Sequence, residues 1–334
     1  MTNHEALMRR AMHMAETARL HARPNPWVGA VLVCTNGAVH EGATQSPGSA
    51  HAEIVALRSA ATAGDSTVGA TLYTTLEPCS HTGRTGPCTE AIIAAGITHV
   101  VSAIADPDIK VAGTGFASLR AAGIEVTEGV LADEVSQQLA PYLHHRRTGR
   151  PFVMLKMATT LDARTSIPNG PRWLTGDAAR TRVHQLRAES DAILVGAGTV
   201  RADDPELTVR HVEGPSPRRI VLSHGPVSDQ AKVHPCTVWS ESLDSLLDTL
   251  GDEGVLQLMV EGGRTVASAF HDQGLINQYV FHVAPIVSGN TDAPGVFIGD
   301  TPQELSHCAV VSTTALGDDV EIVLQPLTEK VGAS

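Results

Sequence analysis

Short apolar segments alternate with helical segments twice along this chain, and this alternation constrains the fold more than any other feature. In the first half, helical spacing of apolar residues occupies the N-terminal segment. The pattern then predicts a strand over 29–35, a helix over 51–63, a strand over 71–76, a helix over 89–96 and a strand over 100–105. Such alternation is typical of a sheet covered by helices. The first half is therefore predicted to form an α/β domain.

A second alternating set follows a polar, basic segment at 140–151, where Pro and Gly residues indicate a domain boundary. Its predicted strands cover 151–160, 191–197, 219–223, 255–262 and 278–287, and its predicted helices cover 177–190 and 264–273. A chain of 334 residues is long enough to form two cores. We therefore predict two α/β domains in tandem, over 1–145 and 150–330.

Charge and cysteine content restrict the partners and the compartment. The formal net charge of −12, with no basic run, argues against a nucleic-acid partner. The N-terminal segment carries charges throughout and lacks the apolar core of a signal peptide, and no stretch is apolar enough to span a bilayer. An odd number of cysteines, five, is typical of a reducing compartment. These features predict a cytoplasmic protein with no membrane partner.

Three potential zinc ligands stand at the boundaries of predicted elements. His51 begins the helix that contains Glu53, Cys79 follows the strand over 71–76, and Cys88 lies nine residues further on. Three protein ligands leave the fourth tetrahedral position for water, which distinguishes a catalytic zinc from a structural one. Glu53 is close enough in sequence to His51 to move a proton between that water and a substrate.

Two other interpretations of these residues stay open at this point. The cysteines could be buried apolar residues, with His51 an ordinary helix-start residue. A structural zinc site is the other alternative, and its fourth ligand would be Cys34, His81 or His99. The order H-x-E followed by P-C resembles the signature of zinc nucleobase deaminases. That resemblance implies that Glu53 is the general acid and base and not a zinc ligand.

The spacing of the two cysteines narrows the resemblance to one family. Most zinc deaminases have C-x-x-C, whereas residues 80–87 separate the cysteines here. The string TLEPCSHTGRTGPC, with HARPNPWVGAVLV before it and DPDIKVAGTGFASLRAAGIEV after it, closely resembles the deaminase half of the bifunctional riboflavin-biosynthesis enzymes, over about residues 1–143. The resemblance implies a cytidine-deaminase-like αβα domain that deaminates 2,5-diamino-6-(5-phosphoribosylamino)pyrimidin-4-one.

The same resemblance suggests substrate contacts in this half. Asn25 is expected to bind near the pyrimidine, although a Pro-flanked Asn is otherwise an ordinary turn residue. His81, Arg84 and Lys110 are candidates for the sugar and phosphate, because an arginine fork suits phosphate oxygens. Solvated surface side chains are the alternative for each of these three residues.

The second half lacks a G-x-G-x-x-G after a strand, so an ordinary dinucleotide-binding fold is not supported. Gly-rich stretches at 195–210 and 260–270 nevertheless follow apolar strands. Together with LKMATTLDART and RWLTG, they resemble the reductase half of the same family, over about residues 150–327. This implies a dihydrofolate-reductase-like α/β domain in which NADPH delivers a hydride to the carbonyl form of the sugar and leaves a ribityl chain.

The resemblance also implies site residues in this half. Those expected around NADPH are Thr159, Trp173, Thr199, Asp203, Ser223, Gly263, Arg264, Thr265, Val266, Ala267, Ser268 and Ala269. Those expected to bind the substrate are Arg187, Leu207, Arg210 and Glu261. Lys156 is expected to point inward and to polarise the carbonyl or stabilise a developing alkoxide, with a surface lysine as the alternative. Arginines that could reach the 2′-phosphate of NADPH are Arg180, Arg182, Arg201, Arg218 and Arg219.

Two positions depart from the family pattern. Ala163 replaces a Gly in the L-D-G-R/K string, which is tolerable if φ is negative there. Pro171 replaces a Ser two positions before Trp173, which removes a substrate hydrogen bond.

The resemblance further implies a homo-oligomer formed through the reductase half. Alternatives are a nucleoside or tRNA deaminase with an unrelated fused domain, against which the acidic charge argues, and a noncatalytic binding protein that does not hold zinc.

Overall fold

Two compact units make up the chain, Met1–Gly149 and Arg150–Ser334. The computed structural model describes residues 3–80, 86–108, 113–299 and 305–327. Within those residues, no helix has both the length and the apolar character needed to cross a membrane.

The first unit contains a five-stranded sheet with helices along the chain between its strands. Its elements are α1 (Asn3–Ala18), β1 (Gly29–Val33), β2 (Val39–Ala43), α2 (Ala52–Ala63), β3 (Thr71–Leu76), α3 (Cys88–Ala94), β4 (His99–Ile104), α4 (Thr114–Ala121), β5 (Glu125–Thr127), α5 (Ala132–Gln138) and α6 (Ala140–Thr148). The strand order is β2-β1-β3-β4-β5. β1 is antiparallel to β2 and β3, whereas β3, β4 and β5 are parallel.

Two glycines bring helices close to this sheet. A Cβ on Gly29 of β1 would lie 1.8 Å from the Ala11 carbonyl oxygen of α1, and a Cβ on Gly42 of β2 would lie 2.1 Å from the Ala52 carbonyl oxygen of α2. The helices therefore pack on the strand backbone itself. This contact fixes the N-terminal end of α2, where His51 and Glu53 lie, against the sheet.

The second unit contains an eight-stranded sheet. Its elements are β6 (Phe152–Thr160), α7 (Asp177–Ala188), β7 (Ala192–Gly196), α8 (Ala197–Asp203), β8 (Arg218–Leu222), β9 (Thr237–Trp239), α9 (Leu243–Asp252), β10 (Gln257–Val260), α10 (Arg264–Asp272), β11 (Gln278–Ala284), β12 (Cys308–Leu316) and β13 (Asp319–Pro326). The strand order is β12-β13-β11-β6-β10-β7-β8-β9. Within the described part of this sheet, β13 runs antiparallel to β11 and to β12, and the other strand pairs are parallel.

The central strand β6 has apolar residues on both faces, as expected for a strand covered by helices on each side. Val153, Leu155 and Met157 belong to one buried cluster, which also contains the apolar face of α9. Met154 belongs to a second cluster with residues of α7. Lys156 therefore lies on the α7 face of the sheet, because alternate residues of a strand share a face.

The fold class predicted from the sequence is confirmed, and each predicted strand or helix has a counterpart. The unpredicted elements are β2, α4, β5, α5, α6, α8, β9, α9, β12 and β13. One of them carried a readable signal: the Ser242 hydroxyl caps α9 by accepting a hydrogen bond from the Ser245 backbone N–H, at 3.1 Å. By contrast, β12 alternates weakly and is largely exposed, so its sequence lacks the strand pattern.

Candidate active sites

The three predicted zinc ligands converge in the first unit. His51 is the N-cap of α2, Cys88 is the first residue of α3, and Cys79 follows β3. The Nδ1 atom of His51 lies 3.6 Å from Cys79 Sγ and 3.3 Å from Cys88 Sγ, and all three ligand atoms lie within 4.8 Å of one another. One nitrogen and two sulfur atoms, held at two helix starts and after one strand, therefore form a compact cluster, called the N,S,S cluster below.

The geometry of this cluster fits tetrahedral zinc. Ligand bonds near 2.0–2.3 Å at tetrahedral angles place nitrogen and sulfur roughly 3.5 Å apart, and the two S···N distances bracket that value. Hydrogen bonding from Cys88 lowers the pKa of the Cys79 thiol, and the Cys88 backbone N–H donates to Cys79 Sγ at 3.4 Å. Within the described residues this cluster has three members, and neither Cys34 nor His99 belongs to it. Three protein ligands are the number found in open catalytic zinc sites.

Glu53 is buried beside the cluster, on the first turn of α2, and is only 3% exposed. Burial and the neighbouring Cys79 raise the pKa of its carboxyl group. The side chain also hydrogen-bonds with Cys88. A carboxyl group whose pKa is raised towards neutrality next to a metal site is suited to accept and return protons.

The other predicted residues of this unit are less fully placed. Asn25 lies in the connection between α1 and β1, partly exposed, where its backbone N–H donates to the Ala22 carbonyl at 3.0 Å. His81, Arg84 and Lys110 lie outside the described residues.

Sequence reasoning missed Glu77, which is 4% exposed and directly precedes Pro78 and Cys79. Its carboxylate accepts hydrogen bonds from four backbone N–H groups at 2.8–3.2 Å: those of Asp106, Gly113, Gly115 and Phe116. The bonds join the end of β3 to the start of α4, where a carboxylate is favoured at a helix N-terminus. An acidic residue at the end of a buried strand was the available signal.

A cleft of about 1400 Å³ opens in the second unit, a size that suits a dinucleotide with a substrate. Most of the predicted residues of this half line it: Lys156, Trp173, Arg187, Thr199, Asp203, Leu207, Arg210, Ser223, Glu261, Gly263, Arg264, Thr265, Val266 and Ala269. The cleft follows the ends of β7 and β10, where α8 and α10 begin. Such helix starts present free backbone N–H groups to phosphate.

Three residues predicted around the cofactor are buried and are not among the residues that line the cleft. Thr159 is 3% exposed, Ala267 is fully buried and Ser268 is 4% exposed. The Ser268 hydroxyl accepts a hydrogen bond from the Ile298 backbone N–H at 2.7 Å, so it holds a neighbouring loop. Thr199 contacts the Gly-rich stretch directly, because its hydroxyl accepts from the Gly263 N–H at 3.2 Å.

Charged side chains form a buried cluster at one wall of the cleft. Arg187 donates to both carboxylate oxygens of Glu261, at 2.9 and 3.0 Å. Burial raises the pKa of Glu261, but the charges of Arg187 and Lys156 outweigh it and hold that pKa below its usual value. Lys156 is 6% exposed, and burial lowers the pKa of its ammonium group. Lys156 therefore points inward, as the sequence predicts.

The mouth of the cleft carries an aromatic side chain between two arginines. Trp173 is 61% exposed, with the guanidinium of Arg172 5.3 Å and that of Arg180 6.0 Å from its ring centre. Pro171 is exposed beside them.

Ala163, which replaces the Gly of the family pattern, has φ +58°. The replacement of Gly by Ala is tolerable where φ is negative, so that condition is not met here.

The arginines considered for the 2′-phosphate separate into two groups. Arg180 and Arg201 line the cleft. Arg182 instead pairs with Glu189 and Glu321, Arg218 pairs with Glu253, and Arg219 donates to the Glu206 carbonyl oxygen at 3.5 Å.

Known proteins match both units. The cytidine and deoxycytidylate deaminase zinc-binding region matches residues 1–104, and the RibD C-terminal domain matches residues 151–322. The riboflavin biosynthesis protein RibD of Mycobacterium tuberculosis is 42% identical, with 80% of each chain covered. That of Chlamydia muridarum is 36% identical, with 94% of each chain covered.

Solved structures extend this similarity to the whole fold. RibD of Acinetobacter baumannii superposes with a TM-score of 0.88 at 34% identity, covering 97% of this chain and 99% of that chain. A diaminohydroxyphosphoribosylaminopyrimidine deaminase/5-amino-6-(5-phosphoribosylamino)uracil reductase of Thermotoga maritima gives 0.86 at 33% identity with the same coverage. The chain belongs to the RibD family of riboflavin biosynthesis, as a bifunctional enzyme with a zinc-dependent deaminase half and an NADPH-dependent reductase half.

Proposed function

We propose that the chain converts 2,5-diamino-6-(5-phosphoribosylamino)pyrimidin-4-one in two steps, a deamination in the first unit and a reduction in the second. The observation that carries this proposal is the pairing of an open N,S,S cluster at His51, Cys79 and Cys88 with a buried carboxyl group at Glu53. The printed name of the Thermotoga maritima relative supports the choice of substrate.

In the deamination, water adds to the ring carbon and ammonia leaves. Zinc, when bound, acts as a Lewis acid that makes water a nucleophile at neutral pH. Glu53 takes the proton of the attacking water and gives it to the ring nitrogen, and later protonates the departing amino group. Its burial excludes bulk water from these transfers. Asn25, His81, Arg84 and Lys110 are proposed to hold the rest of the substrate.

In the reduction, NADPH, when bound, would supply a hydride to the anomeric carbon of the sugar. The bond from that carbon to the ring oxygen breaks, and the ring oxygen takes up a proton to become a hydroxyl group of the ribityl chain. We infer that the Lys156 ammonium stabilises the negative charge that develops on this oxygen, because it is a buried positive charge on the wall of the cleft. Arg187 and Glu261 form one hydrogen-bonded unit that presents a fixed surface to the substrate. Leu207 and Arg210 complete the proposed substrate side of the cleft, and the Gly-rich stretch 263–269 with Thr199 forms the proposed cofactor side.

The proposal extends to the setting of the enzyme. The net charge of −12 supports a small-molecule substrate without a nucleic-acid partner, and the odd number of cysteines supports the cytoplasm. We further propose a homo-oligomer formed through the reductase half.

Mass spectrometry of the product tests the proposal. The zinc-loaded protein is incubated with the diaminopyrimidinone substrate, with and without NADPH. We expect exchange of one amino group for oxygen without NADPH, and the further addition of two hydrogens with it. Unchanged substrate in both reactions, with zinc confirmed as bound, would rule out this substrate.

A further inference from the structure

A polar cluster lies behind the wall of the reductase cleft, beneath α7. His282 of β11 pairs in register with Ala158 of β6 on one side and with Glu321 of β13 on the other. Lys156 is two residues from Ala158, so its side chain leaves the sheet on the same face as His282. Both Ala158 and Lys156 line the cleft. His282, which is fully buried, therefore lies beside a strand whose residues line the cleft.

The hydrogen bonds of this cluster define which nitrogen of His282 carries the proton. Its Nε2 lies 3.0 Å from a carboxylate oxygen of Glu321, and Glu321 is also paired with Arg182 at 3.2 Å. Burial raises the pKa of Glu321, but the bond from His282 and the charge of Arg182 outweigh it and lower that pKa. A carboxylate can only accept, so Nε2 of His282 donates. Burial lowers the pKa of His282 itself, which leaves Nδ1 as a hydrogen-bond acceptor.

That acceptor has no partner among the described residues, although it is buried. On the adjacent strand, the charge of Lys156 adds to the effect of burial in lowering the pKa of His282, so the ammonium lies near the imidazole. A buried acceptor without a donor therefore lies close to a lysine ammonium that lines the cleft.

We propose that His282, held in one tautomer by Glu321, is a positioning residue of the reductase site. Its Nδ1 accepts a hydrogen bond from one water, whose oxygen accepts from the Lys156 ammonium, and this link aims the ammonium at the ring oxygen of the sugar. This inference rests on the proposed reduction and adds to it a residue that does not contact the substrate.

Two amide substitutions test the roles of the two His282 nitrogens one at a time. H282N keeps an acceptor near the position of Nδ1 but loses the donor to Glu321, whereas H282Q keeps a donor near the position of Nε2 but loses the acceptor. We expect H282Q to lower the reductase kcat roughly 10- to 100-fold with little change in KM or in NADPH affinity. We expect H282N to keep most of the wild-type reductase kcat. The deaminase rate of each variant is the internal control for an intact protein.

Two results would overturn the inference: a wild-type kcat in H282Q, or an equal loss in H282N and H282Q at equal melting temperatures. If H282Q does not fold, E321Q takes its place. The side-chain amide of this variant can donate a hydrogen bond to Nε2 of His282, and the imidazole can then carry its proton on Nδ1, which no longer accepts. The same loss of kcat is then expected, and an unchanged kcat would overturn the inference. A wild-type enzyme that does not reduce the deaminated compound would contradict the proposed function itself.

Discussion

Ala163 occupies a backbone conformation that favours glycine. It follows β6 in a turn where its N–H donates to the Thr160 carbonyl at 3.0 Å, and its φ is +58°. We expect A163G to raise the free energy of unfolding by about 1 kcal/mol, since a left-handed conformation costs an L residue roughly that amount. Urea denaturation of the reductase half measures the change.

The matched control for this prediction is A178G, at an exposed position in the first turn of α7. It should lower the same free energy by about 0.5–1 kcal/mol, because glycine is a poor helix former. A loss of stability in A163G similar to that in A178G would show that the turn does not favour glycine.

His184 makes stability depend on pH. It is 5% exposed, its Nδ1 accepts from the Arg210 backbone N–H at 3.3 Å, and burial together with the charge of Arg187 lowers its pKa to about 4. In the unfolded chain a histidine takes up a proton near pH 6.5. The unfolded state therefore binds more protons between pH 6.5 and 4, and stability contributed by His184 is lost as the pH falls through that window.

We expect H184Q to lose less stability than the wild type between pH 7 and pH 4, as measured by urea denaturation at several pH values. H13Q, at an exposed position of α1, controls for the loss of a histidine as such. Parallel stability curves for H184Q and the wild type would refute the role given to His184.

Among the elements, the contact between α1 and β1 depends on a single glycine. A Cβ on Gly29 would lie 1.8 Å from the Ala11 carbonyl oxygen and 2.6 Å from the Ala15 nitrogen, both of them backbone atoms that can move only with the helix. G29A should therefore destabilise the deaminase half by about 1–3 kcal/mol or more. G225A, where a Cβ meets nothing within 4 Å, is the control. Equal melting temperatures for the two variants would contradict this account.

The elements that the sequence predicted share a strong local signal. The β6 run is apolar on both faces, and α10 shows clear helical spacing. β2 and β12 were not predicted because their residues are half-exposed or polar, and pairing with β1 and β13 stabilises them as strands. Local propensity does not contain that information, because the pairing partner lies elsewhere in the chain.

The same limit applies to the sites. His51, Glu53 and the cysteines were readable because their spacing and order match a chemical pattern. Glu77 and His282 were not, since their roles come from contacts with residues 29–39 positions away in sequence. The ion pair between Arg187 and Glu261 is of this kind too: both residues were predicted, but their mutual bond was not.

At the scale of the whole molecule, the two activities should respond separately to loss of the metal. C88A removes one ligand of the N,S,S cluster, so we expect it to lose zinc and deamination while it retains the NADPH-dependent reduction. C34A, which removes another buried cysteine that is not a member of the cluster, is the control and should retain both. Zinc content by mass spectrometry and the two rates measure the outcome. Full zinc content in C88A would contradict the ligand assignment.

The central claim is that one chain carries two sites with separate residues, and mixing two single-site variants tests it most directly. E53Q should lose deamination by roughly 10²–10⁴-fold but reduce supplied deaminated compound, and K156M should do the reverse. Mixed with the diamino substrate and NADPH, the two proteins should together form the ribityl product. If the mixture forms no ribityl product although both variants are folded, or if E53Q alone forms it at the wild-type rate, the assignment of one activity to each site is wrong.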